Sequence, residues 1–342
     1  EIIKRFNSKS GIYEDNVKAG FQDKNNNLWL ASYYGISFIE LNSKLFKFDR
    51  QNGINGLVTG ACYYNNNLFL GTDKGVQFIN DKETSFQPLQ DFKKQTWSLS
   101  KIKNELFIAT EKGLFVYDGK NITQKSEKKT FCILCDPYKN ELIYAGTDEG
   151  VDVFSYIEKQ LTYIKSYQLN SPVKSLASDY NKNIYFGCES NGIYYLNYYN
   201  SFLLDSIQKR EGLPTQYGEN SVFTYNNKLL IGTDSGVYSV HKGTGNRFFC
   251  DKSSKFYKLT KGTEVFRAAE LEGDFIYYQV YENKERGRVE KKVIYISCEN
   301  DAYFFKNEIT NKLKDTKVNL ITYDSTYKTT FICSDEGLFL LN

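Results

Sequence analysis

The sequence predicts an all-β fold: a single closed β-propeller of four-stranded antiparallel blades. Two observations carry that expectation. A short strand–turn–strand unit recurs along the whole chain, and the two chain ends complement one another. The unit is clearest at Asn227-Lys-Leu-Leu-Ile-Gly-Thr-Asp-Ser-Gly-Val-Tyr-Ser-Val240. Its turns fall at Gly35, Gly75, Gly113, Gly150, Gly192, Gly236, Ala302 and Gly337, eight copies in all. A period near 40 residues built from short strands is the mark of a radial β array. Glycine suits a tight turn because it tolerates positive φ. Ala302 lacks that freedom, so the seventh turn is expected to be built differently.

Each unit extends on both sides. A short strand precedes it, as at Val17 to Gln22, Val58 to Tyr63 and Trp97 to Ile102. Another follows it, as at Leu45 to Phe48 and Leu161 to Tyr167. Four strands per repeat make one blade. The blades run over about 17–49, 58–89, 97–122, 131–167, 173–204, 222–259, 265–313, and 318–341 completed by 2–6. The last copy stops after three strands, and Ile2-Ile-Lys-Arg-Phe6 precedes the first. The N-terminal strand is therefore expected to close the ring as the outer strand of the last blade, giving eight blades and removing a sheet edge. Seven blades with an irregular insert is the alternative. The long interval before Ala302 reads as an elongated hairpin with a charged tip, Glu282-Asn-Lys-Glu-Arg-Gly-Arg288. Its plain reading is a solvated tip, and its sharper one a docking element for a neighbouring domain.

Composition narrows the function classes. Of 342 residues, 44 are Lys or Arg and 41 Asp or Glu, a net charge of +3. That balance gives no bulk attraction to nucleic acid or an acidic membrane. No run of about 18 apolar residues exists to span a bilayer. Met is absent even from position 1, as expected of a processed protein or a piece of a longer one. Seven cysteines cannot all pair within the chain. Those at the strand ends, Cys188, Cys298 and Cys333, read as small buried core residues.

Catalytic candidates are few, and the expectation is a non-enzymatic protein without cofactor or metal. His241 is the only histidine, and no nucleophile elbow accompanies it. Cys132 and Cys135 match a Cys-x-x-Cys spacing, but residues three apart on a strand face opposite ways. Asp179-Tyr-Asn-Lys-Asn183 opens like a calcium loop yet lacks its glycine and closing glutamate, so it reads as a hairpin turn.

The turns themselves are more informative. Asp73, Glu111, Asp148, Glu189, Asp234 and Asp335 follow the small residues, with Glu299 in the degenerate copy. Repetition would set these acids on one face, although acids are common in turns for local reasons. The first copy has Tyr33-Tyr34 there instead, a pair suited to stacking on a sugar. The blade-to-blade loops should join the same face and bring Arg50, Trp97, Arg210 and Tyr217. These types bind anionic or carbohydrate ligands by forked hydrogen bonds and stacking. Ordinary loop packing is the competing account of each.

Asp23-Lys-Asn-Asn-Asn-Leu-Trp-Leu-Ala-Ser-Tyr-Tyr-Gly-Ile-Ser-Phe38 resembles the two-component regulator propeller repeat, roughly D-x-x-G-x-L-W-I-G-T-x-x-G-L. Glu211-Gly-Leu-Pro-Thr215 and Asn52-Gly-Ile-Asn-Gly-Leu57 resemble that family's G-L-P linker. The resemblance covers nearly the whole chain and is weakest from Phe248 to Lys317. It implies the periplasmic or extracellular sensor region of a hybrid histidine kinase, common in Bacteroidetes and thought to detect glycan fragments. An oligosaccharide or other small ligand is then the expected partner, with neighbouring domains or a homodimer as further contacts. The alternative is a protein-interaction scaffold of a surface or secretion-associated assembly. A lyase using Tyr and Arg ranks third.

Overall fold

The computed structural model describes all residues except 1–6, 9–11, 81–82, 84, 198–202, 208–212, 214–217, 243–247, 284–286 and 300–301. Its strands form eight antiparallel sheets, seven of four strands and one of three. Every four-stranded sheet is an open blade. Their innermost strands are Val58–Tyr64, Thr96–Ile102, Thr130–Cys135, Val173–Ser178, Ser221–Tyr225, Glu264–Leu271 and Val318–Asp324. Each packs on the next, and the last returns to the first. The result is a seven-bladed ring.

Period-two alternation explains why the blades stack. Leu68 and Leu70 point to one side of blade one and meet Phe331, Leu338 and Leu340 of blade seven. Phe69 and Val76 point to the other side and meet Leu106 and Ile108 of blade two. The middle strands of the blades are thus buried on both faces, and the core is a set of apolar layers between blades.

The ring closes with a different strand from the one expected. Leu45–Phe48, not residues 2–6, is the outer strand of blade seven, and Leu338 pairs with Phe48 and Leu341 with Leu45. Residues 2–6 lie outside the described residues. Several contacts hold the strand. The Asn342 N–H donates to Lys44 O at 3.0 Å. Phe46 and Phe48 join the layer between blades seven and one, where Phe48 meets Phe86 edge-on at 5.7 Å. Immediately afterwards Asp49 caps the short helical turn Arg50–Asn52, and Gly53 ends it at φ 82°.

The first repeat copy consequently stands outside the ring. Ala19–Gln22, Leu28–Ala31 and Ile36–Ile39 make the separate three-stranded sheet. The register puts Phe21, Trp29 and Phe38 on one face, with Ile36 beside them opposite Ala31. Among the described residues no blade covers that face: Ile36 is 68% exposed, whereas its equivalents Val76 and Leu114 are 1% and 0% exposed. The irregular interval forms blade six, whose long hairpin pairs Asp274–Asn283 with Arg288–Glu299. Ala302 begins that blade's outer strand, opposite Glu299.

Candidate functional site

The repeated turns build one face of the ring. In blade one, Thr72 Oγ1 donates to Gly75 O at 3.0 Å and accepts from Lys74 N at 3.1 Å. The same clasp recurs at Thr110, Thr233 and Ser334. Gly75 has φ 132°, and a Cβ there would lie 2.1 Å from Phe92 O. No side chain fits between turn and neighbouring backbone. The acid N–H groups then tie the turns to the residues that enter the inner strands. Asp73 donates to Leu57 O, Glu111 to Gln95 O, Glu189 to Pro172 O and Asp335 to Lys317 O, at 2.9–3.2 Å. Turn acids and inner-strand starts therefore share one face.

At these starts the same irregularity recurs. Val58 pairs with Thr72 and Gly60 with Gly71, which leaves Thr59 as an extra residue. Trp97, Phe131, Lys174 and Asn319 are left over in the same way in blades two, three, four and seven. Blade six shifts register between Glu264 and Arg267. A β-bulge re-aims side chains and commonly borders binding sites. Here the bulges repeat at the starts of the inner strands, around one end of the ring, which forms its mouth.

The mouth has two unlike arcs. Along blades six, seven, one and two, hydrogen bonds stitch it together. Arg267 Nε donates to Asn319 O at 2.7 Å, and Asn319 Nδ2 to Val58 O at 2.9 Å. Thr59 Oγ1 donates to Thr96 O at 2.6 Å. Acids gather on this arc: Glu219 pairs with Arg267 at 3.1 Å, and burial, then Glu219 and Asp234, raise the Glu264 carboxyl above its usual range.

Along blades two, three and four the arc is aromatic and cationic. The Trp97 and Phe131 rings lie 5.5 Å apart at 51°. Lys129 Nζ sits 5.6 Å from the Trp97 centroid and 5.0 Å from that of Phe131. Lys174 Nζ lies 6.0 Å from Phe131 and 2.5 Å from Glu189. The Trp97 indole N–H is buried without a hydrogen-bond partner among the described residues. Lys129 forms no ion pair among them.

Of the residues singled out from sequence, Trp97 lies at this mouth. Arg50 is on the same face but further out, in a cleft of about 410 Å³ with Lys47, Asp335 and Glu336. Tyr33 and Tyr34 are exposed but belong to the separate N-terminal sheet, where Lys18 Nζ stands 4.2 Å over Tyr33. Arg210 and Tyr217 lie outside the described residues. Sequence reasoning missed Phe131, Lys129, Lys174, Arg267 and Asn319. A signal was available: Val58-Thr-Gly, Thr96-Trp-Ser, Thr130-Phe-Cys and Val173-Lys-Ser share a frame whose middle residue alone varies in character. Asp179 is a turn residue, accepting from Asn183 N at 2.9 Å and Tyr185 Oη at 2.8 Å. Cys132 has its thiol pushed up to about 12 by burial.

No family model and no curated protein matches the chain. Solved structures resemble it in fold. The extracellular domain assigned to a hybrid two-component system, BT4673, of B. thetaiotaomicron aligns over 96% of this chain at 14% identity and TM-score 0.59. This chain spans 46% of that one, about half its length. YCF48 bound to D1 peptide aligns over 88% of this chain and 95% of its own at 9% identity and TM-score 0.61. An ancestral GH74 enzyme aligns over 95% of this chain and 53% of its own at 14% identity and TM-score 0.52.

Proposed function

We propose that the chain is a non-enzymatic ligand-recognition propeller, the sensing part of an extracytoplasmic signalling protein, with the bulged mouth of the ring as its recognition face. The observation that carries this reading is the bulge repeated at one position in the inner strands. Sheet regularity alone would favour unbroken pairing, and the interruptions turn Thr59, Trp97, Phe131, Lys174 and Asn319 out of their ladders at one opening. The similarity to an extracellular domain of a two-component system supports the sensor role and a periplasmic or extracellular setting. The repeat resemblance supports a glycan fragment as ligand.

A thermal-shift screen against oligosaccharides tests this. A ligand at about 100 times its Kd stabilises the native state by about 2.7 kcal/mol. A hit on the wild type, lost in Trp97→Ala and retained in Tyr33→Ala/Tyr34→Ala, places recognition at the mouth. The opposite pattern moves it to the N-terminal sheet. Silence across the panel favours the second reading, a protein-interaction scaffold, for which the uncovered face of Phe21, Trp29, Ile36 and Phe38 is the supporting observation. Release of reducing ends from any panel member would overturn the non-enzymatic part.

A further inference from the structure

We infer that the arc between blades two and four is a subsite for an anionic saccharide, one bearing a carboxylate or sulfate on a sugar ring. This inference rests on the reading of the mouth as a ligand-recognition face and adds the chemistry of the ligand.

Three features fit together. First, two rings from adjacent blades, Trp97 and Phe131, stand 5.5 Å apart in a V of 51°. A planar base is best held between parallel faces, whereas a puckered sugar ring rests its C–H face on one inclined wall. Second, Lys129 Nζ stands over both rings, and no carboxylate neutralises it among the described residues. The paired lysine of this arc, Lys174, already has Glu189. The unpaired ammonium is thus free to receive an anion held against the aromatic walls, where partial exclusion of water strengthens the attraction. Third, among the described residues the polar groups that blades six and seven bring to the mouth are already satisfied. Arg267 is occupied by Glu219 and Asn319 O, and Asn319 by Asp335 and Val58 O. The acids beside Arg267 would turn an anion away, so the charge asymmetry orients the ligand with its acidic end over Lys129.

The neighbouring Lys128 does not compete, because it is tied to buried Asp152 at 3.0 Å. Both lysines occupy the linker that enters the inner strand of blade three. One is spent on architecture, and the other is left facing the rings.

Calorimetric titration with an oligogalacturonate and a neutral galactose oligomer of the same length tests the inference. The acidic oligomer is expected to bind. Lys129→Met should weaken it about fivefold to tenfold, the range of a charge-assisted contact of about 1–1.4 kcal/mol, and added salt should weaken it further. Trp97→Ala should weaken both oligomers, and Phe131→Leu provides a second aromatic variant if Trp97→Ala fails to fold. Equal binding of the neutral oligomer with no effect of Lys129→Met would overturn the anionic subsite while leaving the recognition face intact. Preferential binding of a nucleoside monophosphate would overturn the saccharide part. Binding of inorganic sulfate alone, as tightly as the acidic oligomer, would show a bare anion site and overturn the role of the rings. Failure of both oligomers here, together with silence in the wider screen, would remove the underlying reading as well.

Discussion

At the scale of single residues, the turns are decided by backbone space. Gly337 has φ 135°, and a Cβ there would lie 2.1 Å from Phe48 O. Gly337→Ala must displace the closing strand, and is expected to cost about 1–3 kcal/mol, read as a lower Tm with an unchanged far-ultraviolet spectrum. Buried pairs are equally local. Glu105 in blade two is buried and accepts from Tyr156 of blade three. Tyr156→Phe should destabilise by about 1–3 kcal/mol by leaving the carboxyl unsatisfied, measured by denaturant unfolding. Glu264 differs: it is exposed overall, yet partial desolvation of its carboxyl, and then Glu219 and Asp234, raise its folded-state pKa, an effect that solvent screening keeps small. For a carboxyl the raised value means that its charged form is disfavoured in the fold. That penalty is present above the folded pKa and is relieved as pH falls through it. Glu264→Gln should therefore raise Tm at pH 7, and the advantage should vanish well below pH 4.5, in paired melts of the two proteins.

At the scale of elements, Leu45–Phe48 matters out of proportion to its length. Its place beside Gly337–Leu341 joins the chain's beginning to its end, and Phe46 and Phe48 enter the layer between blades seven and one. A Phe→Ala change in such a layer costs about 3–5 kcal/mol, so Phe48→Ala should lower Tm by several degrees. A pair of deletions separates this strand from the sheet before it. Loss of residues 1–42 is expected to leave the ring melting nearly unchanged, because blade seven keeps its outer strand. Loss of residues 1–50 should destabilise the ring sharply. Equal melting of the two truncated proteins would show that the strand is dispensable.

At the scale of the whole molecule, two regions with the same repeat sequence meet different fates. Trp29 is 42% exposed in the N-terminal sheet, whereas Phe69 at the equivalent ring position is 2% exposed. Ile36→Lys is thus expected within about 0.5 kcal/mol of wild type, as for exposed sites generally, while Val76→Lys, which would bury an unpaired charge, should cost above about 4 kcal/mol. The two tryptophans report the same contrast. In a Trp97→Phe background, Trp29 should be readily quenched by iodide; strong protection would mean that its face is covered in solution.

The repeat, the all-β class, the blade strands and the glycine turns were legible in the sequence because each depends on local chemistry. Period-two apolar alternation and a residue able to take positive φ are readable one copy at a time. The place of Trp97 on the turn face was legible for the same reason, as an aromatic at the entry to an inner strand. The number of blades was not. Copy one carries the same alternation as its successors, and nothing local tells a blade inside a ring from one outside it. Only tertiary structure gave the outer place in blade seven to Leu45–Phe48, and with it the seven-fold ring. Likewise, Phe131, Lys129 and Lys174 are unremarkable where they stand in the chain. They become one surface because bulges turn Phe131 and Lys174 from their ladders, Lys129 sits in the linker just before one of them, and adjacent blades, roughly 40 residues apart in sequence, set their inner strands side by side.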